Sequence, residues 1–301
     1  TQALATNLAM LFMPMGEAER VTQGELAQVP RILIKYLAEC IGYEHIIDTL
    51  IDEIWRILRQ RPIQTEHVKQ MVTQIAVCQR NPEVDLGNSG QGAERLVSSL
   101  YSPTQASRED PGLAEYCQRI AILDAAGLRS EAQGFARAMH DTGLVSPYHA
   151  ELLRFLIQEN SHLLGDALGL SRTGSDSLLC YHELVMALVD KGIFAATSQA
   201  IYGLSMILER GILYQQGVAQ SLWRQLNLRL SEWSINRFRM RWGEADVSPG
   251  TRLLEGVLCM LGTPLGVGQG NNPTCQSARA LSIWANSDQT YLLQIITSAA
   301  R

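Results

Sequence analysis

The residues best suited to chemistry lie in one stretch, residues 262–284. It reads Gly-Thr-Pro-Leu-Gly-Val-Gly-Gln-Gly-Asn-Asn-Pro-Thr-Cys-Gln-Ser-Ala-Arg-Ala-Leu-Ser-Ile-Trp. Glycines and prolines run directly into a helical pattern. Thr274 is of a type that caps helix N-termini, so Cys275 is predicted in the first turn. There the unpaired N–H groups and the positive end of the helix dipole favour a thiolate, the nucleophilic form of cysteine. The same N–H groups can hold an oxyanion. Gln269 precedes the thiol by six residues, on a loop able to fold back and donate a further hydrogen bond.

This pattern resembles the nucleophile segment of papain-like cysteine enzymes, in which a Gln precedes the Cys by the same spacing and the Cys opens a helix. It is also similar to transglutaminase-like enzymes and to the Gly-Asn-Thr-Cys stretch of ubiquitin-specific proteases. The resemblance spans roughly 15 of the 301 residues. It implies Cys275 as nucleophile and Gln269, or else Asn272, as oxyanion donor. Gln276 stands where papain-like enzymes carry Trp. Those families place the catalytic His, and the residue orienting it, after the Cys, whereas the 26 residues following Cys275 contain no His and all six histidines precede it. Three readings stay open: the partners belong to a longer protein, an upstream His completes the site in permuted order, or Cys275 is structural.

Other constellations are less specific. Gly266-x-Gly268-x-Gly270 before a helix allows a backbone phosphate cradle. It lacks the Lys-Ser/Thr of a P-loop. Glu159-x-x-His162 has the spacing of one half of a di-iron bundle site, but the second half is missing, so no metal and no cofactor are expected. His45, Asp48 and Asp52 share the polar side of an amphipathic helix. His140 and His149 read as surface residues near helix ends, and His182 as the start of an apolar helix. Of the six cysteines (Cys40, Cys78, Cys117, Cys180, Cys259 and Cys275), none forms a CxxC pair. All but Cys275 sit in apolar helical runs, where Cys acts as a small hydrophobe. This suits a reducing compartment and a cytoplasmic location.

The elements that must position these residues are helical. Residues 44–58 place Ile46, Ile47, Leu50, Ile51, Ile54 and Leu58 at three- and four-residue intervals, and Pro62 stops that helix. Residues 67–78 continue the pattern. Residues 81–112, rich in Gly, Ser, Asn and Pro around one short helical piece at 93–100, read as a loop or linker. Then Gly127-Leu128, Gly143-Leu144, Gly169-Leu170, Gly192-Ile193 and Gly211-Ile212 each follow an amphipathic run, as helix-ending glycines do. Their spacings of 16, 26, 23 and 19 residues fit one helix plus a tight turn. Ser146-Pro147 is a helix start. Residues 236–242 alternate Arg237, Arg239 and Arg241 with Phe238, Met240 and Trp242, a strand period that predicts a short edge strand or arm.

The fold expected is therefore all-α: stacked antiparallel helical hairpins forming an irregular solenoid or bundle, with minor β at most. The organisation is an N-terminal helical unit (1–80), a linker (81–112), a helical array (113–242) and a C-terminal segment (243–301) carrying the nucleophile-like loop. A net charge of −5 with 18% charged residues argues against nucleic acid as partner. No apolar run is long enough for a membrane span. Two functions fit: a cysteine-dependent hydrolase or acyl transferase, or a helical-repeat module without chemistry that binds a protein or peptide.

Overall fold

A computed structural model describes residues 43–80, 89–243, 247–268 and 275–301. The fold is all-α: the described residues are 78% helical, with fifteen α-helices and no strand among them. It divides into two compact units. Of the described residues, 43–56, 66–80 and 89–95 belong to one, and 57–65, 96–243, 247–268 and 275–301 to the other.

In the described part of the smaller unit lie most of α1 (Tyr43–Leu58), α2 (Glu66–Arg80) and the start of α3 (Ser89–Tyr101). Ile47, Ile51 and Ile54 of α1 are buried, as are Val68, Met71, Val72 and Ile75 of α2. These are the positions that the three- and four-residue spacing brings to one face. Gly92 faces Ile51 at ordinary contact distance, and the Arg95 guanidinium lies 5.1 Å from the Trp55 ring centre. The helix within 81–112 thus runs longer than the piece read from sequence.

The larger unit holds α4 (Leu113–Ala121), α5 (Ala125–Thr142), α6 (Pro147–Glu159), α7 (Leu164–Leu168), α8 (Arg172–Cys180), α9 (His182–Gly192), α10 (Ala200–Glu209) and α11 (Val218–Leu226). Then come α12 (Glu232–Trp242), α13 (Pro249–Gly262), α14 (Cys275–Ser287) and α15 (Gln289–Ala300). Helices pair with the element two along: α4 with α6, α5 with α7, α8 with α10, α9 with α11. The result is an all-α array around one continuous apolar core. Its tightest crossing joins α10 to α13. There Gly203 lies against the Leu258–Cys259 backbone and Gly262 against the backbone of Gly203, leaving no room for a Cβ on either.

Gly143, Gly169 and Gly211 adopt the left-handed conformation at helix ends, with φ of 76°, 65° and 62°. Ser146 caps α6 with Pro147 in its first turn. Two of the glycine punctuations behave differently. Gly127 lies in the first turn of α5, where its N–H is bonded by the capping side chain of Asp124 at 2.7 Å. Gly192 ends α9 without a positive φ and makes room for Leu254 of α13.

Residues 236–242 are not a strand. They are the last two turns of α12, which Ser231 caps by accepting the Ser234 N–H. Seven alternating residues match both periods. The Ser cap before them and Gly243 after them select the helix.

Candidate functional site

Cys275 is the first residue of α14 and is exposed. α14 packs on α13, α15 and the single turn Pro264–Gly266. Ser282 donates to the Pro264 carbonyl at 2.7 Å, tying the helix to that turn. Gln269, Asn272 and Thr274 lie outside the described residues. Of the three loop glycines, Gly266 presses its Cα against the carbonyl of Arg61, and Ile63 donates its N–H to the Gly266 carbonyl at 3.1 Å. Gly266 is thus part of a backbone-to-backbone seam, and Gly270 is outside the described residues.

The other cysteines differ from Cys275 in setting. Cys259 is buried in α13, while Cys78 and Cys117 are half-buried. Burial pushes both of those thiols up, and for Cys117 the nearby Glu151 carboxylate adds to the effect. Cys180 departs from the core role read from sequence. It is exposed and is the last residue of α8, so it sits at the opposite helix pole from Cys275.

Two of the histidines that precede Cys275, His149 and His140, have partners of their own. His149 is not a surface residue: it is 1% exposed, lies face-on against Phe135 at 5.1 Å, and its Nε2 is 2.8 Å from the Ala167 carbonyl. A carbonyl can only accept, so Nε2 carries the hydrogen. Nδ1 is buried without a partner. Burial holds the imidazole well below its ordinary value, at about 4, against the opposing pull of the Ala167 carbonyl. It is therefore neutral at physiological pH. His140 is half-buried, with Nε2 3.1 Å from the Leu168 carbonyl and its ring edge-on to Tyr202. The sequence does carry the signal for His149: it shares a helical face with Leu152, Leu153 and Leu156, all buried.

His140 and His162 also line an open cleft of about 540 Å³ with Gln133, Arg137 and Asp166. Asp166 is already engaged, accepting from Gln133 at 3.0 Å and lying 3.4 Å from Arg129. Glu159 is not among the lining residues. Among the described residues no group of three or more His, Cys, Asp or Glu converges as a metal site. None of their helices is long and apolar enough to cross a membrane.

No family model, curated protein or solved structure matches this chain.

Proposed function

We propose that the chain contributes the nucleophile segment of a cysteine-dependent hydrolase or acyl transferase, with Cys275 as the attacking thiol. The observation that carries this reading is the position of Cys275: exposed, and first in a helix of 13 residues. The first-turn N–H groups of such a helix have no intrahelical acceptor and can receive the oxyanion formed on attack. Gln269, preceding the thiol in the glycine-rich loop, is the proposed side-chain donor to that oxyanion, with Asn272 as the alternative. The thiolate sulfur forms a bond to the acyl carbon, and the leaving group departs with the electron pair of the bond that breaks. Water then attacks the thioester, releasing the acid and regenerating the thiol.

A second reading, a helical module that binds a protein or peptide without chemistry, is favoured by the engagement of His140 and His149 with carbonyls of α7. One experiment separates the two. The chain is treated with p-nitrophenyl acetate and acetylation at each cysteine is followed by mass spectrometry. Cys180 serves as internal control, being also exposed but at a helix C-terminus, where the dipole opposes negative charge. The nucleophile reading expects Cys275 to acylate about tenfold faster than Cys180, and the adduct to turn over. Equal rates at the two positions would leave the binding module as the function.

A further inference from the structure

Helix α12 makes unusual use of its residues. Of its eleven residues only Ser234 is fully buried. Trp233 is 65% exposed and Met240 80% exposed. These two, with Arg237 between them, fall at i, i+4 and i+7, which places them on one outward stripe. A large aromatic and a long apolar side chain on one exposed stripe, flanked by arginine, have the composition of the centre of a protein interface.

The helix is held firmly while that stripe stays open. At its N-terminus Ser231 donates both its N–H and its hydroxyl to the Ala300 carbonyl, at 2.9 and 3.3 Å, tying it to the end of α15. At its C-terminus the Trp242 ring stacks on Phe238 at 5.4 Å, and the Arg252 guanidinium of α13 lies 5.8 Å from its centre. Arg237 lies over Trp233 at 5.3 Å, so the two outward side chains are already arranged together. Pre-ordering of this kind lowers the entropy lost on association.

The charge pattern selects the partner. α12 carries three arginines and one glutamate, in a chain whose net charge is −5. Trp, Met and Arg are the types enriched at the centres of protein interfaces. A lipid surface fits less well, because an interfacial helix keeps its cations on the face opposite its apolar residues. Here Arg237 stands between Trp233 and Met240, so insertion would carry its guanidinium into the acyl region.

We propose that the Trp233–Arg237–Met240 stripe of α12 is a docking surface for an acidic amphipathic helix of a partner protein, whose apolar face covers Trp233 and Met240 and whose flanking carboxylates meet Arg237 and Arg241. The inference is independent of the thiol at Cys275.

The probe is a fluorescein-labelled amphipathic peptide of leucine and glutamate, titrated with the whole chain and followed by anisotropy. Trp233→Ala and Arg237→Glu each weaken binding about tenfold or more, while Arg172→Glu, an exposed arginine on α8, leaves it unchanged. Both α12 side chains are exposed, and far-UV circular dichroism confirms that the variants keep the helical fold. Absence of peptide binding, or equal binding by all variants, overturns the proposal. So does equal binding of poly-glutamate, which carries charge without an apolar stripe, or preference for phosphatidylglycerol vesicles or duplex DNA over the peptide.

Discussion

Replacing His149 by Gln removes a titration that makes the larger unit acid-labile. His149 is buried, its Nε2–H is spent on the Ala167 carbonyl, and its Nδ1 faces no donor or acceptor among the described residues. A second proton on Nδ1 would have nowhere to donate. The imidazole therefore titrates at about 4 instead of its ordinary 6.5. Because the folded value is the lower one, the unfolded chain binds more protons as pH falls through this window. Stability is retained above pH 6.5 and declines progressively towards pH 4. At about 1.4 kcal/mol for each pH unit between the two values, the loss reaches about 3 kcal/mol. Gln reproduces the donor to Ala167 and cannot take up a proton in that range. The assay is urea denaturation at a series of pH values, read by tryptophan fluorescence. Trp223, Trp233, Trp242 and Trp284 all belong to the larger unit and only Trp55 to the smaller, so the signal follows the unit that contains His149. The expected result is a variant less stable than the parent near neutrality, through imperfect packing on Phe135, but losing less stability towards pH 4. Parallel stability profiles for parent and variant would refute the reasoning.

Two further outcomes follow from packing and from a buried carboxylate. Gly203→Ala places a Cβ 2.5 Å from the Leu258 carbonyl oxygen. Two backbones must then separate, so the variant should lose about 1–3 kcal/mol or more, and an unchanged melting temperature would contradict the α10–α13 crossing. Glu131 is buried and accepts the Ala106 N–H at 3.0 Å. Glu131→Ala should cost about 1–3 kcal/mol and speed hydrogen exchange at the Ala106 amide, with Glu131→Gln milder because it keeps an acceptor; exchange unchanged in both would remove that role.

The helical character of the chain is legible because its signals are local. The apolar spacing of α1, the stop at Pro62, the Ser146-Pro147 start and the left-handed glycines at 143, 169 and 211 each depend on a few neighbouring residues. What stays hidden depends on residues far away. His149 shares an apolar helical face with Leu152, Leu153 and Leu156, a local sign of burial, but the partners that accommodate it, Phe135 and a carbonyl 18 residues on, come from other elements. The arginine-rich end of α12 reads as a strand because alternation over seven residues fits either period, and the caps at Ser231 and Gly243 must arbitrate. Gly127 reads as a terminus because the Asp124 side chain that makes it a beginning stands outside the glycine-plus-apolar pattern. At the candidate site, the placement of Cys275 in the first turn of a helix is likewise a local matter, set by the switch from glycines and prolines to a helical pattern. The choice of base is not, since a histidine reaches a thiol only through tertiary contacts.

The short seam at Ile63 bears on the order in which this chain assembles. Its N–H meets the carbonyl of Gly266, roughly two hundred residues downstream. Close by, Arg61 donates to the His140 carbonyl and Thr65 to the Gln199 side chain, which in turn donates to the Gly143 carbonyl. Contacts of such separation form late, because the intervening chain must already be organised before they repay the entropy of closing the loop. On a ribosome, residues 57–65 emerge before α13 and have no complete dock until α13 and the turn after it have been made. A nascent chain stalled before Gly266 would carry this segment only partly docked, as a hallmark of incomplete synthesis open to proteases.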